Sequence, residues 1–157
     1  MPDLMLVVCA LGGTSITDWS QGKPFEMLSR TLLGNLRDQD VTPSWVIWGQ
    51  GERDNYLNTP TERYVAAHAV LREKILEYYP EVSFLINVCS FRSGEVSGAV
   101  REAQLQIAHF SSNCHLGIDM DALGAEYRID GTHFNYKGQQ EIATRLSDRI
   151  AKLTFNE

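Results

Sequence analysis

Four apolar runs of strand length, each followed by a stretch of helical or turn-forming sequence, constrain this chain more than any other feature. They are Leu4–Ala10, Ser44–Trp48, Val82–Cys89 and His115–Ile118. Each is continuously apolar rather than alternating, as parallel strands covered on both faces are. Between them the apolar spacing turns helical. Pro24 is placed to open a helix running to about Arg37, with Phe25, Leu28, Leu32 and Leu36 on one face. A second helix is expected over 61–79, carrying Tyr64, His68, Leu71, Ile75 and Tyr78 and stopped by Pro80. A third, over 97–110, shows Val100, Ala103, Ile107 and Phe110, and a last one starts at the N-cap Asn135 with Ile142, Leu146, Ile150 and Leu153 inward. Strand–helix alternation implies right-handed crossovers. The expected fold is therefore α/β, a three-layer α/β/α sandwich around a parallel sheet, in one domain spanning 1–157.

Composition narrows the partners. A length of 157 residues can bury a self-sufficient core, and 43% apolar with 22% charged residues is ordinary for a globular protein. A net charge of −6, with no basic run, argues against nucleic acid or an anionic membrane surface as partner. The three cysteines Cys9, Cys89 and Cys114 are odd in number and widely spaced, which suits buried free thiols rather than a disulfide framework or a metal site. Leu4–Leu11 has the apolarity of a signal-peptide core but no basic residue before it, so a buried strand is expected there and a cytoplasmic or larger-assembly setting for the chain.

In a parallel sheet the ligand site lies beyond the carboxyl ends of the strands. Gly12–Ser15 follows the first run, Gln50–Asp54 the second, Ser90–Val96 the third, and Asp130–His133 comes after the fourth. Segments far apart in sequence are thus expected on one rim. Asp130 stands three residues before His133, a spacing that lets a carboxylate hold one ring nitrogen while the other faces a cleft. Gly12-Gly13 can aim backbone N–H groups at an oxygen, although a tight turn explains the pair equally well. Gln50, between Gly49 and Gly51, is a neutral donor suited to a developing oxyanion; on its own it is also an ordinary loop glutamine. Glu52 and Asp54 are expected to brace this loop by hydrogen bonds rather than bind metal. His68 falls on a core stripe, His109 beside one and His115 at a strand start, and none of them has an acid at triad spacing.

Gly12-Gly13-Thr14-Ser15-Ile16 with Trp19, Trp48-x-Gln50-Gly51-Glu52-x-Asp54, Val100-Arg101-Glu102-Ala103-Gln104 and Asp130-x-x-His133 together resemble the SGNH hydrolases of the sialate O-acetylesterase type. The resemblance runs from about Leu4 to the C-terminus, and W-x-Q-G-E-x-D is its most specific part. It implies a flavodoxin-like sandwich and serine catalysis without metal or cofactor, removing acetyl groups from an acetylated carbohydrate. By position, His133 would be the general base, Asp130 its orienting acid, and Gln50 with the Gly12-Gly13 turn the oxyanion donors. Gly49 and Arg53 depart from the residues usual at their places. The nucleophile has two alignments. One treats Gly13-Thr14-Ser15-Ile16-Thr17 as the nucleophile block, with Ser15 attacking. The other takes the same residues as the family's second block; the serine then belongs to an upstream G-Q-S-N-like segment, and this chain is the C-terminal portion of the enzyme, completed by a missing N-terminal segment or another chain. A non-catalytic carbohydrate-binding or assembly module, using Gln50 and a rim aromatic such as Trp19, is the rival expectation.

Overall fold

Three parallel strands, β1 (Trp45–Trp48), β2 (Ser83–Val88) and β3 (Cys114–Asp119), form one sheet in the order β1-β2-β3 in the computed structural model, which describes residues 5–155, with only the backbone at 30–32. Trp45 to Trp48 register against Ser83 to Ile86, and Phe84 to Ile86 against Cys114 to Leu116. Helices α1 (Ile16–Gln21), α2 (Lys23–Met27) and α3 (Gly34–Asp38), joined by a π-helical stretch over Leu28–Leu33, precede the sheet. Helices α4 (Glu52–Tyr56) and α5 (Thr61–Tyr78) cross from β1 to β2, α6 (Gly98–Phe110) crosses from β2 to β3, and α7 (Tyr136–Phe155) closes the chain. The helices flank the sheet as the α/β expectation requires.

The helix ends follow from local chemistry. Pro24 sits in the first turn of α2, where its missing N–H costs nothing. Ser97 caps α6 by accepting from Val100 N, and Asn135 caps α7 by accepting from Gly138 N at 2.9 Å. The core gathers Ile16 and Trp19 of α1, Tyr64, Leu71 and Ile75 of α5, Phe84 and Ile86 of β2, and Val100, Ala103 and Ile107 of α6. α7 packs along β3, where Arg149 Nε donates to Leu116 O at 2.7 Å, and its expected inner face is only half-buried. Leu28 is buried and Phe25 and Leu36 half-buried, while the side chain of Leu32 lies outside the described residues.

One expected strand is absent. Residues 5–10 have no ladder partner, and Leu4 lies outside the described residues. Met5, Leu6, Val7, Val8 and Leu11 are exposed, and of this stretch Cys9 alone packs against the core. An apolar run is buried as a strand only where neighbours pair with it and cover its faces. Among the described residues β1 pairs with β2 alone and no strand lies between it and this segment. The run is right for a strand; its surroundings are not.

His68 of α5 is buried with its ring edge-on to Trp48, centroids 5.7 Å apart. Burial, then the nearby Arg72 charge, pushes its pKa down to about 3. An unfolded histidine, ordinary at about 6.5, takes a proton that the native state refuses. His68 therefore supports the fold fully above about pH 6.5 and loses that support as pH falls toward about 3. The urea midpoint should drop between pH 7 and 5, with a limiting slope of about 1.4 kcal/mol per pH unit, and His68→Gln should flatten the drop. Equal slopes in both proteins would exclude His68 as the source.

Candidate active site

The turn after β3 builds its own geometry. Gly131 takes a φ of 75°, a left-handed value that favours glycine, and so lets the chain reverse between Asp130 and His133. Asp130 Oδ1 accepts from Thr132 N at 3.0 Å and His133 N at 2.8 Å, while Oδ2 meets His133 Nδ1 at 2.7 Å. The His133 ring, then the His133 and Thr132 amides, hold the Asp130 carboxyl well below the usual carboxylate range. An ionised carboxylate can only accept, so Nδ1 carries the proton and Nε2 is left as the basic nitrogen. His133 is 77% exposed at its side chain, open to an incoming group.

Hydrogen bonds run round the rim from Thr14 to this turn. Gln50 Nε2 donates to Thr14 O at 2.9 Å and to Asp54 Oδ2 at 2.7 Å. Asn55 Nδ2 donates to Ser90 O at 2.8 Å and Glu95 O at 3.2 Å, and Ser93 N donates to Gly131 O at 2.9 Å. The segments after β1, β2 and β3 converge at the strand ends as expected, while Gly12–Ser15, with no strand before it, meets them through Thr14 O. Asp54 is a bracing residue, fully buried, accepting from Ile16 N at 2.8 Å and Thr59 Oγ1 at 2.7 Å as well as from Gln50.

Ser15 is 5% exposed and caps α1: its hydroxyl donates to Asp18 Oδ2 at 2.8 Å and accepts from Asp18 N. No hydrogen bond joins it to His133 among the described residues. Gly12 and Gly13 are exposed with open space about them, Gly13 at a φ of 74°. Trp19 is not a rim aromatic: it is buried, edge-on to Trp48 at 6.0 Å, and donates to Thr14 Oγ1. Tyr56 of α4 is exposed, with the guanidinium groups of Arg53 and Arg92 4.8 and 4.4 Å from its ring centre. His109 is exposed, and half-buried His115 stacks edge-on with Trp45. All three cysteines are free; Cys89 is buried, the other two half-buried.

Beneath the rim lies a polar frame that sequence spacing only half revealed. Gln104 of α6 accepts from Cys89 N and donates to Gln50 O and Cys89 O, tying the ends of β1 and β2. Tyr64 donates to Gln50 O at 2.6 Å; burial, above all, pushes its hydroxyl pKa far up. Asp121 accepts from Ser90 N, Phe91 N and Ser90 Oγ, and pairs with Arg101, which also grips Asp119. Arg101 and Gln104 stood in a recognised motif. Asp121 and Tyr64 carried no local signal, because their partners come from distant segments; the carbonyls that Arg128 meets lie four to eight residues away, but a carbonyl leaves no mark in a sequence.

A family model described as carbohydrate esterase, sialic acid-specific acetylesterase, matches residues 2–152. A solved carbohydrate esterase family 3 structure from Talaromyces cellulolyticus is similar at a TM-score of 0.60 and 16% identity, over 90% of this chain and 68% of that one. The crystal structure of an acetyl esterase mutant with an acetate ion is similar at a TM-score of 0.62 and 15% identity, with the same coverage. At those identities the likeness is one of fold. Among curated proteins, none matches the chain.

Proposed function

Because the chain belongs to the sialic acid-specific acetylesterase family of carbohydrate esterases, we propose that it removes acetyl groups from sugar hydroxyls by serine chemistry. The observation that carries this is the Asp130–His133 pair at 2.7 Å, with Nε2 presented to solvent at the strand ends. His133 Nε2 takes the proton of a serine hydroxyl as its oxygen bonds to the acetyl carbonyl carbon. The carbonyl oxygen gains the negative charge, the sugar oxygen leaves with the proton from His133, and water then releases acetate by the reverse sequence. Gln50 and the Gly12-Gly13 amides are the proposed oxyanion donors. Gln50 already spends its carboxamide on Thr14 O and Asp54, so one of these bonds must yield when the oxyanion forms.

The serine is either Ser15, once it leaves its helix cap, or one brought by a missing N-terminal segment or another chain. The commitment of Ser15 to Asp18 favours a second reading as well, a non-catalytic carbohydrate-binding or assembly module that keeps the cleft.

Hydrolysis of p-nitrophenyl acetate separates these readings. His133→Ala should lower turnover at least about 100-fold, and Ser15→Ala should abolish it only if Ser15 attacks. Turnover that survives in His133→Ala rejects the relay, and absence of turnover in the unaltered chain favours the binding module or an external serine.

A further inference from the structure

Arg128 is buried to 7% exposure, yet among the described residues it forms no ion pair. Its guanidinium spends its donors on backbone: Nε on Leu123 O at 3.2 Å, Nη2 on Met120 O at 3.1 Å, and Nη1 on Thr132 O. Phe91 and Phe134 lie against it, their ring centres 4.1 and 4.2 Å from its central carbon. A cation taken out of water is costly, and an apolar side chain would fill the same space more cheaply. What the apolar residue cannot do is hold the carbonyls of the turn after β3 and that of Thr132 at once. Met120 and Leu123 lie just beyond β3, Phe91 just beyond β2, and Thr132 within the relay turn itself.

The grip on Thr132 is the consequential one. Its carbonyl belongs to the same planar trans peptide as the His133 N–H, so the two point in opposite directions. Holding the carbonyl on Arg128 therefore aims that N–H at Asp130 Oδ1, which it meets at 2.8 Å. Ile129 N, donating to His133 O at 2.8 Å, closes the other side of the turn. We propose that Arg128 is the positioning residue of the relay: through Thr132 O and the Phe91–Phe134 sandwich it locks the Asp130–His133 turn onto the ends of β2 and β3. The inference rests on the esterase reading of His133. Lysine cannot substitute, since one ammonium matches neither the planar fork nor the two ring faces.

Arg128→Lys tests this by carboxyl ¹³C titration of Asp130 alongside thermal melting and kinetics. A cooperative melt is expected, with the Asp130 midpoint rising toward the unperturbed value of about 3.9. In whatever assembly shows turnover, kcat should fall on the order of 10- to 100-fold with KM little changed. A merely structural role would lower the melting temperature and leave the Asp130 midpoint alone, and that result overturns the proposal. If the unaltered chain shows no turnover, the reading of Ser15 as nucleophile fails while the titration still decides the role of Arg128. Should Arg128→Lys not melt cooperatively, ethylguanidinium added to Arg128→Ala must restore the low Asp130 midpoint; no restoration overturns it equally.

Discussion

Gly51→Ala is expected to destabilise the protein by more than about 3 kcal/mol, or to leave no soluble folded chain. The cause is space. Gly51 has a φ of 173°, extended backbone open to any residue, but a Cβ there would stand 1.8 Å from Cys89 O and 3.0 Å from Gln104 Nε2. The first neighbour is backbone at the end of β2 and has no rotamer to adopt. Relief requires the ends of β1 and β2 to part, which strains the Gln104 clamp and moves Gln50 with it. Gly49, two residues earlier, is the control. A Cβ there meets its nearest atoms at 3.5 and 3.6 Å, ordinary contact, so Gly49→Ala should melt near the unaltered protein. Urea midpoints compare them, and indistinguishable values for the two variants would sink the close-approach account.

Asp54→Ala should cost about 3–5 kcal/mol, whereas Asp54→Asn should cost far less. The carboxylate is fully buried, and its loss strands the Ile16 N–H, the Thr59 hydroxyl and one donor of Gln50. The division of acceptors explains the milder effect of asparagine. Ile16 N and Gln50 Nε2 share Oδ2, and Thr59 alone uses Oδ1. An amide with its oxygen at the Oδ2 position keeps the first two bonds, and its NH₂ can donate to a Thr59 hydroxyl that turns round. Chemical denaturation of both variants checks this. If Asp54→Asn is as damaging as alanine, the negative charge itself holds the loop.

The legible parts of the chain were those governed by neighbours in sequence. α5, α6 and α7 lie within a residue or two of their expected ends, because proline, serine and asparagine caps act locally. The same locality made Asp130–His133 visible, its two groups being three residues apart. Residues 5–10 show where that stops: their apolarity is strand-like, but burial needs a partner edge that periodicity cannot report. Ser15 and Trp19 show it too. Ser15-x-x-Asp18 is a capping-box spacing as well as part of a motif, and Trp19 looked like a rim aromatic until Trp48 packed against it. Arg128 is illegible for the opposite reason, since it is recognised only through carbonyls, which every residue has.

The exposed lip at Met5–Val8 also bears on the net charge of −6. Apolar side chains standing in water attract their like on another molecule at short range, while an acidic surface repels at longer range. In physiological salt that repulsion reaches only about 8 Å, one Debye length. Colloidal behaviour is thus set by a contest between a sticky edge and a thin ionic cushion. Added salt thins that cushion further and leaves the apolar edge less opposed.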